Sequence, residues 1–373
     1  MDARSVAHKR LGRLRNLMDE RGYDAVVVRN VADIRWLTDA ARVVDDECAH
    51  TMVVTPERAW LHTDSRYFGS FATAMQDQSA IAVDMESVSH PTWIAQRILE
   101  AKARVVAVED TLTLGFYQKL NNAIDELSVG CLFARMHADV CAMRMVKDER
   151  EIAHLRRAQQ ITDEAFAHIC TFIRRGMSEL AIRAELEGYM LSHGAHALSF
   201  DSIVASGPNG ANPHARPSER EVGEGDLVVI DFGAVYADYH ADMTRTVCVG
   251  VPGDEQRRVY DVVREAHEAA AQAASPGMAG KDLHGIAARV ITDAGYGDCF
   301  QHGLGHGVGI EIHERPVEGP RSADSMPVGS VFTIEPGIYL PGKFGIRLED
   351  CGVMREGGFE PFASSTHELV SVG

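Results

Sequence analysis

The chain has 373 residues, 45% hydrophobic and 24% charged, a globular balance with enough apolar material for a sizeable core and length for two domains or one large one. Its formal net charge of −17 argues against a nucleic-acid partner, which needs a basic face, and against a polybasic membrane contact. No apolar run approaches the ~18–20 residues of a membrane span, the charged N-terminus lacks a signal-type apolar stretch, and seven cysteines without a Cys-x-x-Cys pair read as reduced thiols of a cytoplasmic protein. The opening segment reads as a helix. Short apolar runs at 25–28, 51–55 and 105–108 then read as strands, with helical stretches between them around Met75 and over 94–103. Nothing in this region concentrates histidines or paired carboxylates, and its pattern assigns it no chemistry.

A boundary falls near 143–147, giving domains 1–143 and 144–373. Asp148 and Glu151 have the form of a capping box. Behind them Ile152, Leu155, Ala158, Ile161, Ala165, Ile169 and Phe172 recur at helical spacing, and Gly176 is the expected stop. Ser178 is the expected cap of a second helix ending at Gly194. Apolar runs 227–235 and 240–249 around a short polar turn read as a hairpin. The order then repeats: a helix capped by Asp254, a second helix ending at Gly295, and strands at 330–335 and 345–354. Helix pair plus strand pair, twice, is a repeat of architecture that would bring two hairpins face to face.

Each hairpin carries two carboxylates. Asp231 stands in VVIDFGA and Asp242 in HADMTRT, and a turn centred near 236–238 would set them nearly opposite, where like charges repel unless a cation lies between. Glu335 stands in VFTIEPGIY and Glu349 in GIRLED, around a loop centred near Gly342. Between the hairpins in sequence comes HGLGHGVGIEIHE, residues 302–314, rich in histidine and in glycines that let backbones approach closely. Taken singly, an Asp in a strand is an ion-pair or turn residue and Glu-Pro-Gly a turn. Together, Asp231, Asp242, His306, Glu335 and Glu349 make an oxygen-rich set with one imidazole, suited to Mn, Co or Zn. Four carboxylates balance two divalent cations.

These stretches resemble the pita-bread metallopeptidases: methionine aminopeptidase, aminopeptidase P, prolidase and the metal-free creatinase. The match runs through Asp231-Phe232-Gly233-Ala234, Asp242-Met243-Thr244-Arg245-Thr246, residues 302–314, Glu335-Pro336-Gly337-Ile338-Tyr339 and Arg347-Leu348-Glu349-Asp350. In the N-terminal part NVADIRWLT (30–38) and TDSRY (63–67) are similar to the domain shared by aminopeptidase P, prolidase and creatinase, and NGANPHARP (209–217) carries a Pro-His pair like that of bacterial prolidases. The resemblance implies an α+β fold: a pita-bread catalytic domain with a pseudo-twofold repeat behind a smaller α/β creatinase-like domain. It implies a dinuclear-metal peptidase, with manganese as first choice of metal, cutting before proline in di- or oligopeptides and assembling as a homodimer. The activity expected is Xaa-Pro dipeptidase. Aminopeptidase P is the alternative, and a creatinase-like C–N hydrolase or a non-catalytic binding protein stand further off because no metal ligand is missing.

The resemblance also assigns roles. Asp231 would chelate one ion, Asp242 and Glu349 would bridge both, and His306 and Glu335 would complete the second ion's shell, with Glu335 as general base. His214 and His313 would line the substrate site, His302 would stand behind it, and Arg347 would hold the inner carboxylates. Arg321, with Arg315 in the same interval, is the expected clamp for a dipeptide's carboxylate.

Overall fold

The computed structural model describes residues 3–40, 42–44, 47, 49–75, 80–137 and 139–373, which divide into two compact units, Met1–Met143 and Arg144–Gly373. In the first, apolar runs and amphipathic stretches alternate as α1 (Ala3–Arg21), β1 (Ala25–Val28), α2 (Val31–Thr38), β2 (Thr51–Val54), β3 (Ala59–His62), α3 (Phe68–Ala74), β4 (Ala82–Asp84), α4 (His90–Ala101), β5 (Val105–Glu109), α5 (Leu114–Glu126), β6 (Leu132–Met136) and α6 (Asp139–Arg144), whose last residue opens the second unit. Among the described residues the strands form one sheet in the order β4-β3-β2-β1-β5-β6. β1 is buried along its whole length, which is why its sequence is four apolar residues rather than an alternation. Asn30, Ser89 and Thr113 each cap a helix by accepting from the N–H three residues on. Trp93, Ile94 and Ile98 of α4 pack with Val27, Val53 and Val106 in this unit's core.

The second unit begins its regular structure with α7 (Glu149–Phe172) and α8 (Glu179–Ser192). Asp148 and Glu151 form the reciprocal cap, Glu151 N to Asp148 Oδ1 and Asp148 N to Glu151 Oε2, both 2.9 Å. α7 stops at Phe172, before the expected Gly176: Ile173 turns extended, and Gly176, at φ +85°, shapes the link to α8 instead. Then come β7 (Ala197–Leu198), β8 (Ile203–Ser206), β9 (Leu227–Phe232), β10 (Ala234–Tyr236), β11 (Tyr239–His240) and β12 (Met243–Val249). The second half has α9 (Asp254–Ala273), α10 (Gly280–Asp293), β13 (Gly305–Gly307), β14 (Glu314–Glu318), β15 (Val331–Ile334), β16 (Gly337–Leu340), β17 (Phe344–Arg347), β18 (Asp350–Arg355), β19 (Gly358–Pro361) and β20 (Val370–Val372). Asp254 is the first helical residue of α9 rather than its cap. Gly253 holds that place, its N–H donating to Gln256 Oε1 at 2.8 Å.

Each helix pair covers its own sheet. Ile161, Ile169, Ile182 and Leu186 of α7 and α8 pack on Val204, Val228, Ile230 and Val247, in a sheet ordered β20-β12-β9-β8. Val259, Val263, Leu283 and Ile291 of α9 and α10 pack on Phe332, Ile334 and Met354, in a sheet ordered β14-β13-β15-β18-β19.

The hairpin registers position the acidic residues. In the second hairpin Ile334 pairs with Asp350 and Gly337 with Arg347. Glu335 and Glu349 therefore fall opposite each other in the gap between the two strand pairs, around a loop containing Gly342 at φ +75°. The first hairpin differs from expectation. Its turn is the two-residue pair Ala237-Asp238, both left-handed at φ 50° and 66°, so Asp231 pairs with Thr244 and not with Asp242. Asp242 lies diagonally across from Asp231 on the same face, still within reach for side chains.

Candidate metal centre

Four irregular points converge on one cavity of about 480 Å³ in the second unit. Asp231 comes from the end of β9 and Asp242 from just before β12. Glu335 and Glu349 come from the gap in the second hairpin, and His306 from the middle of β13. β13 is wedged between β14 and β15. A Cβ on Gly305 would stand 2.1 Å from Thr333 O, and one on Gly307 2.2 Å from Arg315 O. Glycine on either side of His306 is what lets three backbones approach closely enough to present that imidazole.

The imidazole has a defined orientation. Nδ1 lies 3.1 Å from the Gly307 carbonyl, which can only accept, so Nδ1 carries the proton. Nε2 then presents a lone pair 3.4 Å from Asp242 Oδ2 and 3.5 Å from Glu335 Oε1. Burial lowers the basicity of His306, which keeps the ring neutral. A bare lone pair facing two carboxylates is repulsive unless a cation or extra protons lie among them.

The carboxylates show the same tension. Burial, and then Glu349, pushes Asp242 well above the usual carboxylate range, and burial with Glu335 and Asp231 does the same to Glu349. Glu335 is raised to about 7, chiefly by burial, with Asp231 adding to it and Arg347 opposing. Asp231 Oδ2 accepts from Arg347 Nη2 at 2.5 Å, while Oδ1 is buried with no hydrogen-bond partner. Donor atoms of Asp242, His306 and Glu349 lie within 4.8 Å of one another. An orphaned carboxylate oxygen, an unprotonated imidazole nitrogen and crowded acids are a donor set that fits divalent cations.

A hydrogen-bonded frame holds this set. Thr244 Oγ1 donates to Glu349 Oε2 at 2.6 Å and accepts from Arg347 Nε at 3.1 Å. Arg347 Nη1 donates to the Tyr339 hydroxyl at 2.9 Å. His302 Nδ1 is bound to the Gly303 carbonyl at 2.7 Å, so its Nε2 accepts the Tyr339 proton at 2.9 Å. Burial, reinforced by Arg347, lowers His302 to about 4, and burial raises Tyr339 to about 12. Both therefore stay neutral at physiological pH. Thr333 Oγ1 accepts from His306 N and donates to Glu335 Oε1, at 3.1 and 3.2 Å.

Asp231, Asp242, His306, Glu335, Glu349, His214, His302, His313 and Arg347 all line this cavity. His214 and His313 are exposed on it, and the His313 ring meets His306 edge-on at 4.3 Å. Phe200, Ile203, Ile312 and Val317 supply an apolar wall. Arg321 is exposed and is not among the lining residues, and Arg315 pairs with Asp324. The expected carboxylate clamp is thus not in the cavity. Sequence reasoning gave no role to Thr244, Thr333 or Tyr339. Thr244 would have stood out as the cross-strand partner of Asp231 had the turn been placed at Ala237-Asp238.

Residues 153–356 match the model of metallopeptidase family M24. The chain belongs to that family. Residues 10–146 match the creatinase/prolidase N-terminal domain, so an M24 pita-bread catalytic domain follows a creatinase-type domain. Among the most similar relatives, the Xaa-Pro dipeptidase of Lactobacillus delbrueckii subsp. lactis is 34% identical over 96% of this chain and 98% of its own. Among solved structures, the Xaa-Pro dipeptidase from Bacillus anthracis has TM-score 0.91 and 35% identity over 98% of this chain and all of its own. The X-Pro aminopeptidase from Thermotoga maritima has TM-score 0.84 and 36% identity over 95% of this chain and 99% of its own. As an M24 metallopeptidase the chain is a hydrolase that uses divalent metal ions. No helix of the described residues is long and apolar enough to cross a membrane.

Proposed function

We propose that this M24 enzyme is an Xaa-Pro dipeptidase working with two divalent ions held by Asp231, Asp242, His306, Glu335 and Glu349, manganese first and cobalt or zinc as alternatives. The observation that carries the reading is the unprotonated His306 Nε2 set among buried carboxylates, in a chain similar over nearly its full length to proteins named Xaa-Pro dipeptidase. Bound divalent ions supply Lewis acidity and make water a nucleophile near neutral pH. The protein's own groups handle protons and position. Glu335, whose Oε1 is steadied by the Thr333 hydroxyl, takes the proton of the attacking water and returns it to the proline nitrogen as the bond breaks. His214 and His313, exposed on the cavity, donate to the scissile carbonyl as negative charge grows there. Arg347, Tyr339 and His302 form a directional chain that fixes Asp231 from behind. The X–Pro bond has no N–H, and nothing in this scheme needs one.

A second reading, aminopeptidase action on longer Xaa-Pro peptides, is favoured by one feature. Among the described residues lining the cavity, Arg347 is the only guanidinium, and it is engaged by Asp231 and Tyr339 rather than open to a product carboxylate. Kinetics with Mn, Co and Zn on Ala-Pro, Met-Pro, their Xaa-Pro-Yaa extensions and Met-Ala-Ser separate the readings. Higher kcat/KM on free dipeptides supports the dipeptidase, and higher values on tripeptides replace it with the aminopeptidase. Cleavage of Met-Ala-Ser alone rejects both. A cytosolic homodimer completes the proposal. The net charge of −17 and the absence of disulfides among the six described cysteines support the compartment. Light scattering tests the dimer, which rests on the family resemblance.

A further inference from the structure

A second set of donors gathers at the start of β18, on the side away from the peptidase cavity. Glu349 turns into the peptidase cavity with Thr244, and Asp350 turns away from it with Arg245, whose Nη2 meets Asp350 Oδ1 at 2.7 Å. The other oxygen, Oδ2, stands 2.7 Å from His367 Nε2 and 3.5 Å from His267 Nε2. His267 projects from α9 and His367 from the C-terminal segment. Their rings meet edge to face at 4.8 Å, and the three donor atoms lie within 4.8 Å of one another.

His267 is the unusual member. It is 1% exposed, and neither ring nitrogen has a hydrogen-bond partner. Leaving a buried polar group without a hydrogen bond is costly, and satisfied groups are the rule. The nitrogen nearest a ligand position faces Asp350 Oδ2.

We propose that His267, Asp350 and His367 form a zinc site, distinct from the peptidase centre, that fastens the C-terminal segment to α9 and β18. Two imidazoles and a carboxylate are a zinc donor set. The partly exposed side of His367 leaves a position for water. The surroundings hold the ligands in place. Arg245 orients the carboxylate through Oδ1 and also donates to the Ser365 and Thr366 carbonyls at 2.9 and 3.0 Å. The Tyr260 hydroxyl donates to the His367 carbonyl at 3.0 Å. Such support behind the ligands is what pre-forms a metal site.

The test is metal stoichiometry on the full chain after zinc loading and desalting, comparing the natural protein with His367→Ala and His267→Gln. Each variant should hold one zinc fewer per chain, however many ions the peptidase centre takes. Zinc should also raise the Tm of an Asp242→Ala/Glu335→Ala background, and His367→Ala added to that background should abolish the rise. His367 is partly exposed, so its replacement remains informative if His267→Gln fails to fold. Equal zinc content in the natural protein and His367→Ala, with the Tm rise unchanged, overturns the proposal and leaves the three residues as a hydrogen-bonded brace.

Discussion

Removing the metal should turn Glu335 into a pH-dependent liability, and Glu335→Gln isolates the effect. In the metal-free fold the Glu335 carboxyl is raised from the ordinary 4.5 to about 7 by burial and by Asp231. An acid whose folded-state pKa is raised contributes stability that is fully present below its unfolded value and is lost as pH rises through the folded value. The window is therefore about pH 4.5 to 7. At ~1.4 kcal/mol per pKa unit the loss is about 3 kcal/mol. The buried histidines run the other way: His302, lowered to about 4, destabilises the fold as pH falls below its unfolded value. His302 owes its shift to burial and Arg347 and not to Glu335, so it cancels in the comparison. Urea unfolding in EDTA at pH 4 and pH 8 should show Glu335→Gln gaining about 3 kcal/mol on the natural protein between the two. Asp242 and Glu349 are shifted the same way and lose a like-charged neighbour in the variant, which adds to the gain. Saturating manganese should reverse the order, since the natural protein keeps the fuller ligand set. A parallel pH dependence of the two proteins in EDTA would refute the argument that the centre is a set of acids held together against their charge.

Three further outcomes follow from the same geometry. Asp242→Ala should lose divalent metal far more severely than Tyr339→Phe, by elemental analysis, because Asp242 faces the His306 lone pair while Tyr339 acts through Arg347 and His302. Glu335→Gln loaded with metal should lower kcat on Xaa-Pro substrates by ~10²–10⁴, the usual range for a general base, and full turnover at full loading would remove it from that role. Lys147 and Glu314 form an ion pair at 2.6 Å with both side chains 1% exposed, beside His313. Lys147→Met should cost about 3 kcal/mol in urea unfolding, toward the low end for a broken buried pair, because Arg144 remains 3.5 Å from Glu314. The same variant should raise KM by loosening the His313 segment.

The elements were legible where one physical signal dominated. The capping box at Asp148 and Glu151 and the serine cap at Ser178 were readable from side-chain chemistry alone. The second hairpin was readable because Gly342 marks its turn, and its symmetric loop set Glu335 against Glu349. The first hairpin was misread by two residues because its left-handed positions are filled by Ala237 and Asp238. An alanine does not advertise a positive φ. One shifted turn changed the partner of Asp231 from Asp242 to Thr244 without moving any carboxylate off its face, so the ligand set survived an error in the register that was meant to justify it.

The same reasoning separates the parts of the site a sequence can carry from those it cannot. Carboxylates in apolar strands are conspicuous because burying a charge needs a reason, and all four proved to line one cavity. Hydroxyls in strands are not conspicuous. Thr244, Thr333 and Tyr339 acquire significance only when the fold puts Thr244 between Arg347 and Glu349, Thr333 between the His306 backbone N–H and Glu335, and Tyr339 between Arg347 and His302. Arg321 fails for a related reason. Lying between two motifs fixes how far along the chain a side chain is, not which way it points, and this one points to solvent. His267, Asp350 and His367 are the limiting case. They come from a helix, a strand and a terminal segment, share no motif, and meet only in the fold. Glu349 and Asp350 are neighbours in sequence, yet one faces the peptidase centre and the other the proposed zinc site.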